Sequence, residues 1–84
     1  MLRRAGQAER DPYLSVVVPI FNEAENIEGL LTELRAGLER TGRSYEILCI
    51  DDGSTDASFA LLRAAHAQDP RVVAIRFRRN FGQT

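Results

Sequence analysis

Apolar positions along the chain fall into five blocks that alternate between two spacings. The run Leu14-Ser15-Val16-Val17-Val18 is rich in β-branched residues and bounded by Pro12 and Pro19. It predicts a first strand, covered on both faces because its apolar positions do not alternate with polar ones. Proline has no N–H to give a ladder, so the strand is expected to stop at Pro19. After the polar loop that begins Ile20-Phe21-Asn22-Glu23, Ile27, Leu30, Leu31, Leu34 and Leu38 recur at helical spacing, with Glu33, Arg35, Glu39 and Arg40 on the opposite side. That is one apolar stripe on a helix of about four turns. Asn22 or Asn26 is suited to cap it, Glu23, Glu25 and Glu28 favour its positive end, and Gly42 is a stop signal.

The third block, Tyr45-Glu46-Ile47-Leu48-Cys49-Ile50, ends abruptly in Asp51-Asp52. It predicts a buried strand. Gly53-Ser54-Thr55-Asp56 follows, with three residues competent to cap a shorter second helix that carries Ala57, Leu61, Leu62 and Ala65. His66 falls in the last turn of that helix, exposed. After the turn at Asp69-Pro70, Val72-Val73-Ala74-Ile75-Arg76-Phe77 predicts a third strand. The pattern is β-α-β-α-β. It defines an α/β chain with a parallel sheet in the order 3-2-1, half of a doubly wound fold. A bare apolar edge at Val16-Val17-Val18 invites association. A fourth strand is therefore expected beside it, and the 84 residues look like the front of a longer chain.

Composition narrows the reading. A chain of 84 residues is one small domain at most. A net charge of -1 gives no general pull toward nucleic acid or anionic lipid. All eleven basic residues are arginine, which points first to genome composition. Cys49 is the only cysteine, so an intrachain disulfide is excluded; within an apolar strand it acts as a small hydrophobe. Residues 1–12 carry three arginines and no apolar core, so they are not a secretory signal and are expected to be disordered. No apolar run approaches the roughly 20 residues that span a bilayer.

Ligands of open α/β sheets bind at the carboxyl ends of the strands, where the acidic pair Asp51-Asp52 stands. Two carboxylates there are able to accept hydrogen bonds from a base or sugar, to help hold a divalent cation, or merely to cap the next helix. Ser54, Thr55 and Asp56 are nearer the helix, which leaves Asp51 and Asp52 for the crevice. Only one of two consecutive residues faces a ligand squarely, and alternation alone leaves open which. Phe21 and Glu23 border the same crevice, an aromatic wall beside an acid, suited to a nucleobase; Phe21 is equally suited to the core. The first loop lacks glycine, so the dinucleotide fingerprint and the P-loop both fail. No Cys/His cluster offers zinc, and no nucleophilic triad is available. Arg76, Arg78 and Arg79 gather positive charge after the third strand, fit for a phosphate or for solvent.

Three stretches, Ser15 through Ile27, Tyr45 through Asp56, and Arg79-Asn80-Phe81-Gly82-Gln83, resemble the family 2 glycosyltransferases. The likeness is greatest to the branch of dolichol-phosphate mannose synthase and the undecaprenyl-phosphate glycosyltransferases. The resemblance implies that residues 13–84 are the nucleotide-sugar-binding N-terminal half of a GT-A domain. It further implies that Pro19, Phe21 and Glu23 line the base and ribose pocket, that Asp52 accepts from the base, and that Asp51 shapes the loop beside it. Arg79 and Gln83 become candidate phosphate contacts. The family usually has tyrosine where this chain has Phe21, which keeps the ring and removes one hydroxyl.

The implied function is transfer of a sugar from a UDP-, GDP- or dTDP-linked donor to a polyprenyl-phosphate acceptor at the cytoplasmic face of a membrane. Membrane association would come only through a later segment. Mg²⁺ or Mn²⁺ is implied, but the family's Asp-x-Asp metal motif lies beyond the third strand, so the 84 residues are expected to be inactive alone. A non-catalytic nucleotide-binding module and a family 2 enzyme with a non-lipid acceptor are the alternatives. A receiver-type signalling domain fits poorly, because here the first strand ends in Pro19 and the third in arginine.

Overall fold

The computed structural model describes residues 13–77. The disordered start expected over residues 1–12 and the contacts expected of Arg79 and Gln83 lie outside them. Strand β1 (Leu14–Ile20), helix α1 (Ile27–Glu39), strand β2 (Tyr45–Asp51), helix α2 (Ser58–Gln68) and strand β3 (Val72–Arg76) follow one another. The strands are parallel and β2 is central, in the expected order.

The register sorts the sheet into two faces. Leu14, Val16, Val18 and Ile20 align with Tyr45, Ile47, Cys49 and Asp51, and these in turn with Val72, Ala74 and Arg76. This face meets Ile27 and Leu31 of α1 and Leu62 of α2 in one core that includes Ile20, Tyr45, Ile47, Cys49 and Val72. Each fully buried aliphatic side chain there contributes about 1.5–3 kcal/mol. Burial raises the Cys49 thiol pKa, so it stays protonated and inert.

Two expectations are corrected. First, β1 does not stop at Pro19 but runs on to Ile20, with Pro19 opposite Ile50. The Asp52 N–H donates to the Ile20 carbonyl at 2.9 Å, so the polar groups of Ile20 turn toward β2 and those of Pro19 toward the side of β1 that no other described strand occupies. There the missing donor breaks no ladder bond. Second, β1 is not covered on both faces among the described residues. Its burial alternates, and Val17 is 57% exposed. Two crossovers stepping the same way across the sheet lay both helices on one face, leaving Val17, Leu48, Ile50, Val73 and Ile75 on the other.

The amino end of the sheet is fastened by polar groups. Arg71 donates to both carboxylate oxygens of Asp69 at 3.0 and 3.1 Å, pairs with Glu39 at 3.2 Å and lies over the Tyr45 ring at 4.3 Å. The Tyr45 hydroxyl donates to Glu39 at 2.7 Å. Hydrogen bonds from Arg71 hold the Asp69 carboxyl below its usual range. His66 is exposed, as expected, and its Nδ1 donates to the Val72 carbonyl at 2.7 Å.

Candidate functional site

At the opposite, carboxyl end of the sheet, two loops leave adjacent strands: residues 21–26 after β1 and residues 52–57 after β2. Side chains of one loop satisfy backbone groups of the other. The Asn22 N–H donates to Ser54 Oγ at 2.8 Å, and the Glu23 N–H to Ser58 Oγ at 2.8 Å. The Ala24 N–H reaches Asp56 Oδ2 at 3.3 Å. In return, Asn22 Oδ1 accepts the N–H groups of Thr55 at 2.8 Å and Asp56 at 3.3 Å. Gly53 takes φ +83°, a left-handed turn that favours glycine.

The helix caps differ from expectation for the same reason. Ser54 does not cap α2, because its hydroxyl accepts the Asn22 N–H. Asp56 Oδ1 accepts the Ser58 N–H at 2.9 Å, and Ala57 stands at the cap position without a side-chain bond. Hydrogen bonds from the Ser58 hydroxyl and N–H, and then from Ala24, hold Asp56 below the usual carboxylate range. Nor does Asn26 cap α1: its Nδ2 donates to Glu23 Oε1 at 3.1 Å.

The register resolves the acidic pair. Asp51 lies on the helix-covered face, fully buried, with Oδ1 accepting the Ser54 N–H at 2.8 Å and Oδ2 buried without a partner. Asp52, one residue on, belongs to the opposite face and is half-buried. The residue after Ile20 is Phe21, 51% exposed, and the Asp52 N–H donates to the Ile20 carbonyl at 2.9 Å. Pro19 and Glu23 are exposed on the same strand end and loop. Pro19, Phe21, Glu23 and Asp52 thus occupy one end of two hydrogen-bonded strands, while Asp51 is turned beneath them.

A cleft of about 210 Å³ lies nearby between the helices, lined by Ala24, Glu25, Ile27, Glu28 and Leu61 among others, without Glu23 or Asp52. Among the described residues no group of three His, Cys, Asp or Glu side chains is placed to hold a metal ion. The sequence reading missed the stitching by Asn22, Ser54 and Ser58. The available signal was an Asn two residues past a strand, a residue that tolerates left-handed backbone, facing a loop rich in hydroxyls.

A parallel α/β unit with its polar loops tied at the carboxyl edge belongs to the class of open-sheet domains that take a ligand at that edge. Within this class the chain belongs to glycosyl transferase family 2, whose sequence profile matches residues 15–84. It is 45% identical over 73 residues to an undecaprenyl-phosphate 4-deoxy-4-formamido-L-arabinose transferase of Edwardsiella ictaluri (strain 93-146), covering 84% of this chain and 22% of that protein. It is 46% identical over 71 residues to the protein of the same name from Klebsiella pneumoniae, covering 83% of this chain and again 22% of the relative. The chain thus spans about a fifth of the length of these relatives.

Proposed function

We propose that the chain is the donor-nucleotide half of a glycosyltransferase that moves a sugar from a nucleotide-linked donor to a polyprenyl-phosphate acceptor. The observation that carries this reading is the placement of Phe21, Glu23 and Asp52 on two stitched loops at the carboxyl edge, with Asp51 turned inward. The Phe21 ring covers one face of the base. Glu23 and Asp52 offer acceptors to donor groups on its edge or on the ribose, and Pro19 closes the side nearest the free strand edge. Arg79 and Gln83 contribute contacts to the phosphates. The acceptor class follows from the names of the relatives, which carry undecaprenyl phosphate.

A divalent cation, Mg²⁺ or Mn²⁺, would balance the charge of the departing diphosphate. In the family its ligands lie in an Asp-x-Asp motif beyond the third strand, so this half would bind and orient the nucleotide and perform no transfer by itself. The reading places the whole protein at the cytoplasmic face of a membrane, which it would reach through another segment. No helix among the described residues is long and apolar enough to cross a bilayer.

Calorimetric titration of the whole protein with UDP-, GDP- and dTDP-linked sugars in the presence of Mn²⁺ tests the proposal. One nucleotide class is expected to bind, and an Asp52→Ala change to weaken it. Indifference to all three nucleotides would refute it.

A further inference from the structure

Asn22 is exposed, and its neighbours in the chain, Phe21 and Glu23, are two of the residues assigned to the donor. Its own contacts point elsewhere. Oδ1 accepts two consecutive N–H groups of the partner loop, Thr55 at 2.8 Å and Asp56 at 3.3 Å, with the Thr55 hydroxyl at 3.5 Å. Its backbone N–H donates to Ser54 Oγ at 2.8 Å. One residue therefore bridges the two loops with both its side chain and its main chain, and it does so at φ +50°, a left-handed conformation that asparagine accepts more readily than most residues.

From this arrangement we infer that Asn22 is a positioning residue for donor recognition: its carboxamide holds the loop that follows Asp52 against the loop that carries Glu23, without itself touching the nucleotide. The inference rests on the functional reading above. Asp52 is separated from the bridged amides only by Gly53 and Ser54, and Glu23 follows Asn22 directly. Loss of the carboxamide leaves the Glu23 loop tied by Ser54, Ser58 and Asp56, but frees the Thr55–Asp56 turn on the other side. Asp52 keeps its ladder bond to Ile20, but the segment from Gly53 to Asp56 loosens beside the Glu23 loop, and binding has to order it at its own expense. The amide type matters as well. An aspartate at this position keeps the acceptor, but adds a further negative charge beside Glu23, Asp52 and Asp56.

Asn22 contributes no buried apolar side chain, so Asn22→Gly, which keeps the left-handed backbone, leaves the core intact. The test compares wild type, Asn22→Gly and Asn22→Asp in three measurements: thermal midpoint, amide hydrogen exchange at Thr55 and Asp56, and affinity for the nucleoside diphosphate class that the wild type binds. For Asn22→Gly the expected result is a melting point close to wild type, exchange at both amides at least about tenfold faster, and affinity reduced about tenfold. For Asn22→Asp, which retains the acceptor, exchange stays slow and affinity lies between the other two. Wild-type affinity in Asn22→Gly, or fast exchange in Asn22→Asp, overturns the role given to Asn22 while leaving the functional reading standing. Should Asn22→Gly fail to fold, the Asn22→Asp exchange and affinity decide the matter. Failure of the wild type to bind any of the three nucleotide classes overturns the functional reading itself, and donor positioning with it.

Discussion

Asp51 and Asp52 are consecutive, yet they serve opposite faces of the sheet: Asp51 is fully buried on the helix side, and Asp52 stands half-buried on the other. The alternation of a strand separates them, and the ladder bond from the Asp52 N–H to Ile20 shows that strand geometry persists through this pair. One carboxylate is left to the loop and the other to the opposite face of the sheet.

This division predicts different behaviour at the two positions. Asp51→Ala removes the acceptor of the Ser54 N–H and is expected to cost about 1–3 kcal/mol. Asp51→Asn keeps that acceptor but buries an NH2 donor at the position where Oδ2 has no partner, so it should recover only part of the loss. Asp52→Ala, at a half-buried position, is expected to cost less stability than Asp51→Ala while weakening nucleotide binding. Denaturant unfolding of the three variants checks the order.

Phe21 tests the ring. Stacking of a base on an aromatic side chain is worth about 1–3 kcal/mol, so Phe21→Ala should weaken nucleotide affinity by about 5- to 150-fold. Phe21→Tyr keeps the ring and supplies the hydroxyl usual in the family. It should bind at least as well as wild type in a side-by-side titration.

Gly53 tests the turn between Asp52 and the stitched segment. At φ +83°, Gly53→Ala is expected to destabilise the chain by about 1–2 kcal/mol, and Gly53→Asn by less. Thermal unfolding of both variants separates backbone strain from loss of any contact.

The amino end of the sheet sets an acid limit. The folded-state Asp69 pKa lies below its ordinary value of 3.8, chiefly through hydrogen bonds from Arg71. For a carboxyl lowered in the folded state, the stabilisation is present in full above the unfolded pKa and is lost as pH falls through the folded one. Stability should therefore drop below about pH 4, and the drop from this source should shrink in Arg71→Ala. At neutral pH that change should cost about 1–2 kcal/mol, since exposed pairs and a surface cation–π contact are each worth about 1 kcal/mol or less. Unfolding midpoints between pH 3 and pH 7 for both proteins give the comparison.

Much of this was legible in the chain itself. Leucine spacing located α1, the β-branched runs located the strands, and the long connections made the sheet parallel. What escaped is what depends on neighbours. The strand continues through Pro19 because, among the described residues, β1 pairs on one side only, a fact of sheet order that no local propensity contains. Ser54 leaves its capping role because Asn22 stands across the crevice, 32 residues away in the chain. Which aspartate faces outward required the register, because both are equally acidic and adjacent.

The central claim is that Glu23 and Asp52 share one opening that reads a nucleobase. Its most direct test is a ¹⁵N chemical-shift map of the chain titrated with UDP, GDP and dTDP. The account predicts that one nucleotide shifts the amides of Phe21, Glu23, Asp52 and Gly53 together, leaving those around Glu28 and Leu61 in the neighbouring cleft unmoved. Shifts confined to that cleft, or Glu23 and Asp52 responding to different nucleotides, would contradict it.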